Sequence, residues 1–289
     1  MWTVEQAMQR LVEELELTPA ERENVTRQHG VVRQVLRERL ASAEEFLSGS
    51  YSRGTALRPL HDVDVFVVLD PVRQPRGQRT PDDLLREIRQ VFKQQWPERA
   101  LPAFQRHSLR IDFSSGIHVD VVPAYRHEQG GYLIPQRDTG AWIRTDPKAH
   151  QEACAQADRA AGGRLNPLIK LVKQWNRARD NNSPLRSFHL EAMCYSAFPS
   201  PPEGSLLERL EVLFRRLSEQ VMKTCRDPAK LGVAVDSLME PGDREQARNL
   251  FQNAFREVGL AVQERVSNPE QAHQRLSKLF GSVYRKRGP

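Results

Sequence analysis

The chain of 289 residues can bury one large core or two moderate ones, and its 39% apolar content and mean hydropathy of -0.62 describe a well-charged protein with no apolar run long enough to cross a bilayer. A net charge of +6 favours anionic partners, nucleotides and nucleic acid alike, without choosing between them. Cys154, Cys194 and Cys225 lie far apart in sequence and fit no zinc spacing, and Glu5, Gln6 and Arg10 stand where a signal peptide would be apolar, so a cytoplasmic protein with reduced thiols is expected.

Thr3-Val4-Glu5-Gln6 has the form of a capping box, and Met8, Leu11, Val12 and Leu15 follow at helical spacing. A second helix is expected from Thr18-Pro19, its stripe running through Val25, Val32, Leu36, Leu40, Ala43 and Leu47 to a stop at Gly49. So long an element should brace two lobes.

The chemistry begins where that helix is expected to end. Gly49-Ser50-Tyr51-Ser52-Arg53-Gly54-Thr55 is a small turn in which Gly49 lets backbone approach a ligand and Ser50 can donate to phosphate oxygens. The run from Val63 to Leu69 is rich in β-branched and aromatic residues and reads as a buried strand. Asp62 and Asp64 share one face of it, because side chains alternate with period two. Two acids held that close repel unless a cation sits between them, and paired Mg²⁺ ions are the usual remedy. A bare Gly-Ser is ordinarily a surface turn and a bare Asp-x-Asp a solvated strand end; in this order, feeding one strand, they point to phosphoryl or nucleotidyl transfer.

Pro71 to Pro81 reads as an exposed loop, and Asp82 to Trp96 as an amphipathic helix closed by Pro97. Phe104 to Phe113 and Ile117 to Val122 then form a hairpin around Ser114-Ser115-Gly116. Val119 and Val121 face the core, which leaves His118 and Asp120 on the other side. Asp120 is the third acid if this strand neighbours the Asp62 strand. Asp112 is its rival, but lies near the turn, where a solvated acid is unremarkable. Tyr132 to Pro135 and Trp142-Ile143 suggest further edge elements.

From about Asp146 helices take over, with stripes at Leu165 to Trp175, Leu190 to Phe198, Leu206 to Met222 and Ala247 to Val258. Asn268-Pro269 caps a last helix ending at Gly281, and the basic tail from Tyr284 is expected to fray. The fold class is therefore α+β. A palm with its N-terminal helices is expected over residues 1–145 and a helical lobe over 146–289.

These residues resemble the polymerase β-like nucleotidyltransferases and, among them, the CD-NTases, the bacterial cGAS/DncV-like enzymes that make cyclic oligonucleotide signals. The resemblance rests on Gly49 to Thr55, His61 to Val65, and Val119 to Ala124. It continues through Ile134-Pro135, Trp142 to Pro147, Leu171 to Trp175, and Ser187 to Glu191. It implies that Asp62, Asp64 and Asp120 hold two Mg²⁺ ions, for which Mn²⁺ can substitute, and that Gly49 and Ser50 bind the donor triphosphate. Lys173 and Ser187 would also reach that triphosphate, and Phe188 would stack on a base. Arg53, Arg58, Arg106 and Arg110 are unranked candidates for phosphate or base contacts.

The implied substrates are NTPs, ATP among them, joined into a cyclic di- or trinucleotide for bacterial anti-phage signalling, with regulatory or effector proteins of the same defence system as partners. The animal DNA sensor's zinc insert has no counterpart, so duplex DNA is not expected as activator. Two other readings are a template-independent enzyme that extends RNA 3′ ends and a binding module with an inert palm.

Overall fold

The computed structural model describes residues 1–40, 42–77, 79–179 and 183–287. The chain divides into two units, one formed by Leu17–Gly54 and Pro59–Gln151, the other by Met1–Glu16, Thr55–Arg58 and Glu152–Pro289.

In the first of these, helix α2 (Pro19–Leu40) leads into strand β1 (Ser42–Ser48), the single-turn helix α3 (Gly49–Ser52) and strand β2 (Asp62–Leu69). Helix α4 (Pro81–Gln95) starts at a capping box between Thr80 and Asp83. Strands β3 (Ala103–Phe104), β4 (Leu109–Asp112), β5 (His118–Arg126), β6 (Tyr132–Gln136) and β7 (Ala141–Thr145) follow. They form a mixed sheet ordered β1-β2-β5-β4-β3, with β6 joined to β5 and β7 to β6. Only β2 and β5 run parallel along this path; the other pairs are antiparallel.

The long second helix expected to reach Gly49 stops at Leu40, and Ala43 and Leu47 lie in strand β1. Ser42-Ala43-Glu44-Glu45 has helical propensity, but tertiary pairing outweighs it. The strand bonds along β2 from Ser42↔Leu69 to Ser48↔Asp64, and Phe46 stacks on Phe66 with ring centroids 5.2 Å apart. Phe66 in turn meets Tyr132 edge-on at 5.1 Å, in a small core with Val68, Ala124 and Ile134. These residues continue the same sheet face that begins with Asp62 and Asp64. Two residues along β2, the face changes from carboxylate to hydrocarbon.

The second unit is helical. Helix α1 (Val4–Leu15) belongs to it, because Val4, Ala7, Met8, Leu11, Val12 and Leu15 bury their side chains in its core. The division therefore separates residues 1–16 from α2 and crosses the next helix, α5 (Pro147–Ala160), unlike the single cut after residue 145 read from the sequence. Helices α6 (Leu165–Arg177), α7 (Ser187–Cys194), α8 (Leu206–Gln220), α9 (Pro241–Ser267) and α10 (Pro269–Phe280) complete it. Trp175 packs between Phe214 and Phe251 with centroids 5.1 and 5.3 Å away. The tail does not fray as far as Lys286: Tyr284 is buried, its hydroxyl lies 2.7 Å from His273 Nδ1, and the Lys286 carbonyl accepts from Trp2 N at 3.1 Å. No helix among the described residues is long and apolar enough to cross a membrane.

Candidate active site

The parallel pairing of β2 with β5 sets the arrangement of acids. Asp64 lies directly opposite Asp120 and Asp62 opposite His118, so all four side chains start from one sheet face. Antiparallel β4 adds Arg110 beside Asp120 and Asp112 beside His118. The rival acid Asp112 is engaged elsewhere: its carboxylate lies 2.6 Å from His118 Nδ1.

The turn lies on the other flank of β2. Ser48 pairs with Asp64, and at the next residue the chain bends with φ +65° at Gly49. A Cβ built at Gly49 would stand 1.7 Å from Asp64 Oδ2, so glycine is required here for two independent reasons, its left-handed backbone and the carboxylate pressed against it. Ser52 Oγ donates to the Gly49 carbonyl at 3.1 Å, and the Gly54 amide closes the turn onto the Tyr51 carbonyl. Gly49 is thus held against Asp64 directly after the strand residue that pairs with it.

The electrostatics follow from this crowding. Burial, and after it the Asp120 charge, push the Asp64 carboxyl up to about 6; Arg53 acts in the opposite direction and Asp62 adds to the rise. Asp120 and Asp62 are balanced differently. Arg110 meets Asp120 with a two-pronged fork, Nε to Oδ1 at 3.2 Å and Nη2 to Oδ2 at 3.1 Å, while the same Nη2 lies 2.9 Å from Asp62 Oδ1.

Three acids with only oxygen donors, held on adjacent strands, are the ligand type that Mg²⁺ or Mn²⁺ selects, and Arg110 marks the same place as one that attracts positive charge. As the side chains stand, no group of three His, Cys, Asp or Glu residues among the described residues is disposed to hold a metal ion. The residues fit the cation in type and sheet face, and two of the three pair with the Arg110 guanidinium.

Of the other arginines considered from sequence, Arg106 is paired with Asp138 at 2.8 Å and Arg58 faces Glu14 at 3.6 Å, whereas Arg53 acts on Asp64. Sequence reasoning did not distinguish Arg110 from these, because its fork depends on the β4–β5 register.

Lys173, Ser187 and Phe188 belong to the helical unit. Lys173 Nζ lies 2.8 Å from Glu191 Oε1 and donates to the Thr55 carbonyl at 2.8 Å, while the Thr55 hydroxyl donates to Glu191 Oε2 at 2.8 Å. All three residues are buried, so a closed polar network holds Thr55. Ser187 is exposed at the start of α7 and Phe188 beside it is half-buried. Glu191 is the partner that sequence reading missed, and its place in the Ser187 to Glu191 stretch was the available signal.

Residues 1–158 match the family described as the Second Messenger Oligonucleotide or Dinucleotide Synthetase domain, SMODS. A cyclic AMP-AMP-AMP synthase of Acinetobacter sp. is 29% identical over 217 residues, which is 68% of this chain and 56% of that protein. The chain spans about half the length of such curated relatives. Among solved structures, Vibrio cholerae DncV in its apo form superposes with TM-score 0.82 at 15% identity, covering 98% of this chain and 96% of that one. CdnC of E. coli MS115-1, solved with ATP and in complex with HORMA-deltaN, gives TM-scores of 0.78 and 0.79 at 19% identity, covering 97% of this chain and 98% of that one. The fold and the family match agree: the chain belongs to the SMODS family of the CD-NTases.

Proposed function

We propose that this protein joins nucleoside triphosphates, ATP among them, into a cyclic di- or trinucleotide second messenger of bacterial anti-phage defence. The observation that carries the reading is the Asp64–Asp120 register with Asp62 on the same face and the Gly49 turn against Asp64. Like charges so placed cost stability, and the β2–β5 pairing itself does not require them.

In this reading Asp62, Asp64 and Asp120 hold one divalent cation, and Asp62 and Asp64 a second; Mg²⁺ or Mn²⁺, when bound, lowers the pKa of an acceptor hydroxyl and neutralises polyphosphate charge. The backbone at Gly49-Ser50 and the Ser50 hydroxyl hold the donor triphosphate, close approach being possible because Gly49 has no side chain. The strands fix the acids in advance, so catalysis rests on positioning and charge and needs no side-chain nucleophile. The acceptor hydroxyl attacks the α-phosphorus in line, the bond to the bridging oxygen breaks, and pyrophosphate leaves. Repeating the step on the product's own end closes a ring.

Ser187 and Phe188 are retained as triphosphate and base contacts; Lys173 reaches phosphate only by leaving Glu191 and Thr55. The names of the relatives support ATP as substrate, and the CdnC complex with HORMA-deltaN supports control by a protein partner. Incubating the protein with each NTP pair and Mg²⁺ or Mn²⁺, then resolving products by mass, tests the proposal. Small phosphatase-resistant products are expected from NTPs alone. Products formed only when RNA is supplied, as extended 3′ ends, would replace it with the tailing reading.

A further inference from the structure

Arg110 stands where it can compete with a metal ion. It projects from β4 opposite Asp120, and one guanidinium nitrogen lies 3.1 Å from Asp120 Oδ2 and 2.9 Å from Asp62 Oδ1. Its Nε closes the fork on Asp120 Oδ1 at 3.2 Å, so both oxygens of that carboxylate are engaged. Asp120 is nearly covered, with 12% of its side chain exposed, and water can do little to replace the arginine there. Oxygens that accept from the guanidinium cannot point the same lone pairs at a cation between the two acids. A divalent cation placed there would also face the positive charge of Arg110 at contact distance.

We propose that Arg110 is the resident counter-ion of the metal-free acid face, and that loading a metal requires its fork to leave Asp62 and Asp120. Arg110 is then a positioning residue: it holds the carboxylates of Asp62 and Asp120 together before a metal binds and sets the metal concentration at which they fill. This rests on the reading of Asp62, Asp64 and Asp120 as metal ligands. The direction of the effect separates it from simple scaffolding, because removing a scaffold weakens a site whereas removing a competitor strengthens it.

The experiment is a Mn²⁺ titration of the nucleotide-free full chain, with free Mn²⁺ read by electron paramagnetic resonance. Wild type is compared with Arg110→Gln, Arg110→Lys and Asp64→Asn, each checked for folding by circular dichroism. Arg110→Gln is expected to bind Mn²⁺ roughly ten- to a hundredfold more tightly, the range of an ordinary coupling between two sites. Arg110→Lys keeps the charge but loses the fork and is expected to fall between it and wild type. If Arg110→Gln does not fold, the lysine variant decides: tighter binding supports the proposal, and unchanged or weaker binding overturns it. Binding that Asp64→Asn abolishes but a folded Arg110→Gln leaves unchanged or weakens overturns this proposal alone. Binding indifferent to Asp64→Asn overturns the metal reading as well.

Discussion

The two units each hold carboxylate and cation together, and they do so in opposite ways. In the helical unit Glu191 is fully buried, yet both its oxygens have partners, one from Lys173 and one from Thr55. On the sheet, Asp62, Asp64 and Asp120 share a face with Arg110, whose fork reaches Asp62 and Asp120 and leaves Asp64 with its proton affinity raised. In our proposal the satisfied network serves the fold, and the crowded acid face serves a ligand.

The comparison is tested most severely at the acids. Asp62→Asn with Asp64→Asn is expected to cut incorporation of labelled NTP on the order of 10⁴-fold or more, about 5 kcal/mol of barrier. The thermal midpoint of the metal-free protein should stay level or rise. A variant that unfolds, or keeps its turnover, would make these acids structural like Glu191.

The same question put to the helical unit should give the reverse answer. Lys173→Met or Glu191→Leu alone leaves a buried charge without its main partner and is expected to cost about 3–5 kcal/mol in urea unfolding. The double variant removes both charges and should recover a good part of that loss. Additive losses would show that the pair is not a unit.

How far this contrast was legible in the sequence depends on the range of the interaction involved. Asp62 and Asp64 are visible because period-two alternation is local, and Asp120 because Val119 and Val121 fix its face. Their meeting, which the family resemblance implied, depends on β2 and β5 pairing in parallel, and no local pattern shows that pairing. Arg110 stayed one of four equal arginines, since its role depends on a cross-strand register. Residues 42–48 misled for a related reason: their local preference is helical, and the Phe46 contact with Phe66 that overrides it is made to the neighbouring strand. Likewise, the face of α1 shows in the sequence, but not which core it fills.

Gly49 offers a finer test of how tightly the turn is fitted to the acid face. In Gly49→Ala the new methyl would stand 1.7 Å from Oδ2 of the Asp64 carboxylate, and the left-handed φ of +65° adds about 1 kcal/mol of strain. Displacing Asp64 by roughly an ångström is expected to lower turnover about 10²-fold while most of the stability remains. A fall in stability without a matching fall in turnover would make Gly49 a folding residue only.

The smallest effect concerns the cost of Asp64's own charge, measured in metal-free protein by chemical unfolding across pH. Its folded carboxyl binds protons up to about 6, above the ordinary 3.8, so between those values the folded chain holds more protons than the unfolded one. Stability therefore falls as pH rises through this window, and the penalty is complete above about 6. Asparagine does not titrate, so Asp64→Asn should match wild type below pH 4 and exceed it by about 1–2 kcal/mol at neutral pH, less than the full shift implies because Arg53 and solvent screen the charge. Saturating Mg²⁺ should reverse the order, since only wild type retains all three acids to bind it. An advantage that is the same at every pH would trace to packing rather than charge, and the face would then lack the electrostatic tension that separates it from the Glu191 network.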